Sequence, residues 1–119
     1  MGETNQRAIK VQIQDLNYLE NAFSAFIESS IHRVAHSGDM VYSYRITAGE
    51  VKAGTGRQRL HDSVIGEYTQ FFANHNVAAQ YDGNFNSFNV VVDLNRCVLR
   101  PDQAKFLAAA METFRAENT

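Results

Sequence analysis

The sequence predicts an α/β (α+β) fold: a two-layer sandwich with one mixed sheet of about four strands and helices mostly on one face. Two kinds of apolar spacing and one ordering predict it. Apolar residues recur at every second position in several short stretches, and at three- and four-residue steps in three longer ones. The two kinds alternate along the chain as β-α-β-α-β-β-α, an order that favours right-handed crossovers within one sheet. The 119 residues, 45% hydrophobic and 20% charged, predict a single domain over 1-119 with a substantial core.

The first six residues are polar, and residues 1-7 are expected to be disordered. In "AIKVQIQ", Ile9, Val11 and Ile13 alternate with polar residues, which predicts a first short strand. Asp15 is placed to cap the helix that follows. Leu16, Leu19, Phe23, Phe26, Ile27, Ser30 and Val34 form its stripe, and Gly38 suits its left-handed close. "MVYSYRIT" puts Met40, Tyr42, Tyr44 and Ile46 on one face of a second strand. A loop opens at Ala48-Gly49 and runs through Gly54 and Gly56, with Val51 extending a short strand inside it.

A second helix is expected to begin near Thr55 or Arg57, with Leu60, Val64, Tyr68, Phe71 and Phe72 as its stripe. "VAAQYDGNFNSFNVVVDL" reads as a hairpin with a tight turn at Asp82-Gly83. In its second strand Val91 interrupts an otherwise polar face, which marks that strand as central. Pro101 suits a helix's first turn, and Leu107, Ala110, Met111 and Phe114 form the last stripe. If the first strand is false, the order α-β-(β)-α-β-β-α resembles that of small secretion-chaperone and roadblock-like domains.

Several function classes are disfavoured by composition. A net charge of −2 offers no general attraction to nucleic acid or anionic membrane. One cysteine, Cys97, allows no internal disulfide and fits a reducing, cytoplasmic setting. No apolar run approaches the ~20 residues of a membrane span. Gln6 stands where a myristoylation motif wants Ser or Thr.

The stretch most suggestive of chemistry is "AGTGRQR". A glycine turn entering a helix points backbone N–H groups at an anion, and Arg57 and Arg59 would add charge. Gly54, Thr55, Gly56, Arg57 and Arg59 are therefore the candidate ligand-binding residues. Neither the P-loop nor the dinucleotide pattern is matched: no Lys follows, and Arg59 occupies the third glycine's place. The phrase resembles, over fewer than ten residues, the acyl-coenzyme A turn of the acetyltransferase superfamily, which implies an acyl carrier as ligand. The blander alternative is a loop with Thr55 as helix cap.

His32 and His36 share a helix face with Glu28, but "HRVAH" lacks the glutamate of the zinc-peptidase motif, so no metal site and no cofactor is expected. Cys97 has no identifiable base, and no catalytic residue is assigned. Met40, Tyr42, Tyr44, Phe85 and Phe88 form a candidate interface, should the helices cover the opposite sheet face.

Three functions follow in order of preference. The first is a small non-enzymatic binding or adaptor protein, acting as a homodimer or through a protein partner at its sheet face or edge. The second is a binder of a small anionic ligand, a nucleotide or acyl carrier, at the Gly54-Arg59 turn, with a small transferase as its enzymatic form. The third is a nucleic-acid binder using the basic Arg45-Arg59 segment; overall charge and the lack of interleaved aromatic and basic residues count against it.

Overall fold

The computed structural model describes residues 11–119. Four helices and three strands follow in the order α1 (Ile13–Ser37), β1 (Val41–Thr47), α2 (Ala48–Thr55), α3 (Asp62–Asn74), β2 (Ala78–Asp82), β3 (Ser87–Asp93) and α4 (Pro101–Glu117). The architecture is mixed α and β. The sheet differs from expectation: among the described residues it has three strands, all antiparallel, in the order β1-β3-β2. The expected mixed sheet of about four strands is thereby corrected, and so are its parallel crossovers. β1 reaches β3 by a long connection, and β2 reaches it by a hairpin.

The expected first strand fails where it can be seen. Ile9 lies outside the described residues, Val11 and Gln12 are irregular, and Ile13 already opens α1. Asp15 is not the cap of α1; Gln12 holds that position without a side-chain bond, and Asp15 sits buried in the first turn. At the far end Gly38 closes α1 at φ 75, in the left-handed region as its residue type predicts. The loop expected after β1 contains a helix, α2. Val51, expected in a strand, is a fully buried member of that helix. The helix expected from Thr55 or Arg57 instead starts at Asp62.

The hairpin is also wider than a two-residue turn. Asp82 pairs with Ser87 across the residues between, and the left-handed residue is Asn86 at φ 48 rather than Gly83. The Asp82 Oδ1 accepts from the Asn84 N–H at 2.9 Å, which lets an Asx turn replace the tighter geometry.

One sheet face is covered. Tyr42 and Ile46 of β1, and Phe88, Val90 and Val92 of β3, point to it and are buried with Leu19, Ile27 and Val34 of α1 and Tyr68 and Phe72 of α3. Hydrophobic burial on this face supplies most of the driving force. The other face carries exposed Val41, Ser43 and Arg45 on β1, Asn89 and Val91 on β3, and Ala78 and Gln80 on β2. β3 is central between two edge strands. α4 packs along α1, with Pro101 in its first turn.

Candidate functional site

The residues of the glycine turn do not make an anion cradle. Gly54 and Thr55 end α2, and Gly56 is its left-handed cap at φ 79. The turn therefore presents the carbonyl end of a helix, whose partial charge is negative and repels an anion. Thr55 does not cap α3; its hydroxyl donates back to the Val51 carbonyl at 2.7 Å and accepts from the Arg57 N–H at 3.3 Å. Gly54 is needed for close approach, because a Cβ there would lie 2.5 Å from the Tyr18 ring.

Arg57 is already taken. Its Nε donates to Asp15 Oδ1 at 3.0 Å and its Nη2 to Oδ2 at 2.6 Å, a two-pronged ion pair. The Tyr68 hydroxyl donates to the same Oδ1 at 2.6 Å. The Asp15 side chain is 0% exposed and that of Arg57 is 17% exposed. The bond from Arg57 holds the Asp15 carboxyl below its ordinary range, against the opposing effect of burial. Burial, and then the bond to Asp15, push the Tyr68 phenol strongly up. The cluster pins the start of α1 to the α2–α3 connection and to α3. Arg59, two residues on, is exposed and stays outside it.

The five candidate interface residues fall into two groups. Tyr42, Tyr44 and Phe88 face the helices. The Tyr42 hydroxyl bonds Ser37 Oγ at 2.6 Å, and the Tyr44 hydroxyl bonds Ser30 Oγ at 2.7 Å. The Phe88 ring stacks on Tyr68 at 5.5 Å. Met40 is half-buried against the same core. Phe85, in the hairpin loop, is 67% exposed, with the Arg45 guanidinium 5.9 Å from its ring.

Tyr44 is only half-buried, because β1 is an edge strand and Phe26 of α1 is its outer neighbour; their rings stack at 4.5 Å. Further along the same edge, the Arg33 guanidinium lies 4.4 Å above the Tyr42 ring. A shallow cleft of about 580 Å³ runs beside β1, between it and the two helices that flank it. Tyr18, Ala22 and Phe26 of α1, Ile46 of β1, and Glu50 and Ala53 of α2 line it. Glu50 is held by the capping of α2: the Thr47 hydroxyl accepts from the Glu50 N–H, and Glu50 Oε1 accepts from the Thr47 N–H at 2.8 Å. Arg45 of β1 lines the same cleft as Glu50.

The histidine pair on α1 is exposed, with rings 5.8 Å apart. Among the described residues no three His, Cys, Asp or Glu converge as metal ligands. Burial pushes the half-buried Cys97 thiol up, away from the thiolate a nucleophile needs. No described helix is long and apolar enough to cross a membrane. No protein-family profile, curated protein or solved structure matches the chain.

Proposed function

We propose that this is a small non-enzymatic binding protein whose site is the free edge of β1, where it takes an extended segment of another polypeptide as an added strand. The carrying observation is that β1 is, among the described residues, a seven-residue edge strand with few of the usual protections. It contains no proline, no lysine and no bulge, its one charged residue is Arg45, and among the described residues no strand pairs with its outer side, where the Thr47 N–H is bonded to Glu50 Oε1. The other edge, β2, is shorter, has five residues, and ends on Asp82.

The chemistry beside β1 suits the same occupant. Main-chain pairing along an edge supplies affinity, and pockets for alternate side chains supply selectivity. Here the pocket is the cleft of Tyr18, Ala22, Phe26 and Ile46, aromatic and aliphatic, with Asn21, Arg45 and Glu50 as its polar lining. Asp15 and Tyr68, whose proton affinities are displaced in opposite directions, satisfy each other inside the fold, which favours a structural role for them over a catalytic one. The anion-binding alternative is weakened by the carbonyl end of α2 and by Arg57's commitment to Asp15.

The test places a photo-crosslinking amino acid at Ser43, on the exposed face of β1, and at Lys105, exposed on α4, in cells making the full chain. Polypeptide adducts from position 43 that exceed those from position 105 are expected. Equal yields at the two positions, or none at 43, would refute the edge reading.

A further inference from the structure

We infer that the segment on the β1 edge is β1 of a second copy of this chain, paired antiparallel with Tyr44 opposite Tyr44, so that two sheets join into one of six strands. This rests on the edge reading above and names its partner. Register, charge and area each bear on it.

A pairing centred on Tyr44 uses the most of the strand, all but the Thr47 N–H, which Glu50 Oε1 already holds. It sets Val41 against Thr47, Tyr42 against Ile46 and Ser43 against Arg45 of the other copy. Centred on Arg45, the pairing would oppose two like charges. Shifted by one residue, it would turn the second copy over and put its helices on the opposite side of the sheet. The Tyr44 register keeps Tyr42, Tyr44 and Ile46 of both copies on the helix side, where all three already lie.

That register also matches charge. Tyr42 carries the Arg33 guanidinium above its ring. Across the pairing, Tyr42 meets Ile46 of the second copy, and Ile46 lies in the cleft that also holds Glu50. Arg33 of each copy is thereby brought toward the cleft that holds Glu50 in the other, twice by symmetry. Arg33 makes no ion pair among the described residues.

The area is that of a reversible dimer. Seven residues at a rise of about 3.3 Å make an edge about 23 Å long. A sheet backed by one layer of helices is about 20 Å deep, a sheet-packing distance plus a helix diameter. Such a side wall gives an interface of about 1,000 Å² in total, at the lower bound for specific association. The bare sheet face, three strands wide at about 4.8 Å spacing, offers roughly a third less. The edge is therefore the better dimer surface of the two.

The experiment has two parts. Sedimentation of the purified full chain from about 5 to 200 µM should show a mass that rises from 13.4 kDa toward twice that value. Arg33→Glu should weaken the association at least tenfold while leaving the thermal transition in place. Then Ser43→Cys chains are mixed with Arg45→Cys chains under mild oxidation, both positions being exposed. Directly opposed Cβ atoms lie about 5 Å apart, within disulfide reach. The mixture should form covalent dimer faster than either chain alone. A dimer with no mixed cross-link and no response to Arg33→Glu is built elsewhere and overturns the inference. A chain that stays monomeric at all concentrations overturns it too; if position 43 still captures polypeptides in cells, the edge reading survives with a different partner.

Discussion

Replacing Arg57 by alanine separates the structural reading of the glycine turn from the ligand-binding one. Asp15 is fully buried and accepts from Arg57 Nε and Nη2 and from the Tyr68 hydroxyl. In Arg57→Ala only the Tyr68 bond remains, and a buried carboxylate loses its counter-charge. Such a loss costs about 3–5 kcal/mol; because the Arg57 side chain is partly exposed, water moderates it toward about 3. For a chain of this size each kcal/mol moves Tm by about 3–5 °C, so a fall of roughly 10 °C is expected. Arg59→Ala, at an exposed residue, should change Tm by no more than about 2 °C.

The pH dependence carries the sign. The folded-state pKa of Asp15 is lowered, so the ion pair's contribution is present above the unfolded value near 3.9 and is lost as pH falls through the lower folded value. In Arg57→Ala burial prevails and raises that pKa, so acid no longer costs this contribution. The gap between parent and variant should therefore narrow on going from about pH 6 to pH 3. Thermal melts by circular dichroism across that range are the assay. A gap that stays constant with pH, or a fall in Tm under about 3 °C at neutral pH, would refute the reasoning.

Other variants probe neighbouring claims. Tyr68→Phe removes one bond to a charged acceptor and should cost about 1.5–3 kcal/mol in chemical denaturation, with a non-additive result when combined with Arg57→Ala. Gly54→Ala should destabilise although alanine is the better helix former, because its Cβ enters the Tyr18 ring; adding Tyr18→Ala should make the double variant cheaper than the sum of the two. Thr47→Ala removes the cap of α2 and should cost about 1 kcal/mol, read as faster amide exchange in α2, whereas Thr47→Ser should retain most of it.

Long periodic elements were legible in the letters, and short or long-range features were not. The stripe from Leu19 to Val34, the stop at Gly38 and the entry at Pro101 all lie where local spacing and backbone preference put them. α2 escaped because eight residues rich in alanine and glycine show no clear period; the one sign available was Thr47-x-x-Glu50, the pattern of a capping box. Ile13 reads as strand because two apolar residues spaced by two precede it, although it is the exposed first residue of α1. The direction of β1 against β3 leaves no local mark, since the pairing joins distant stretches. Nor does the bond from Arg57 to Asp15, which spans 42 positions. That bond turned an apparent cradle into a brace. The β1 edge was readable as a strand, but its freedom depends on strand order, which only the fold determines.

The most direct test of the account is backbone amide exchange over Val41–Thr47 in the full chain at about 5 and 200 µM. The account predicts that the outward-facing amides of β1 gain protection with concentration while those on the free side of β2 do not. Equal exchange from β1 at both concentrations, or protection that arises on β2 instead, would contradict it.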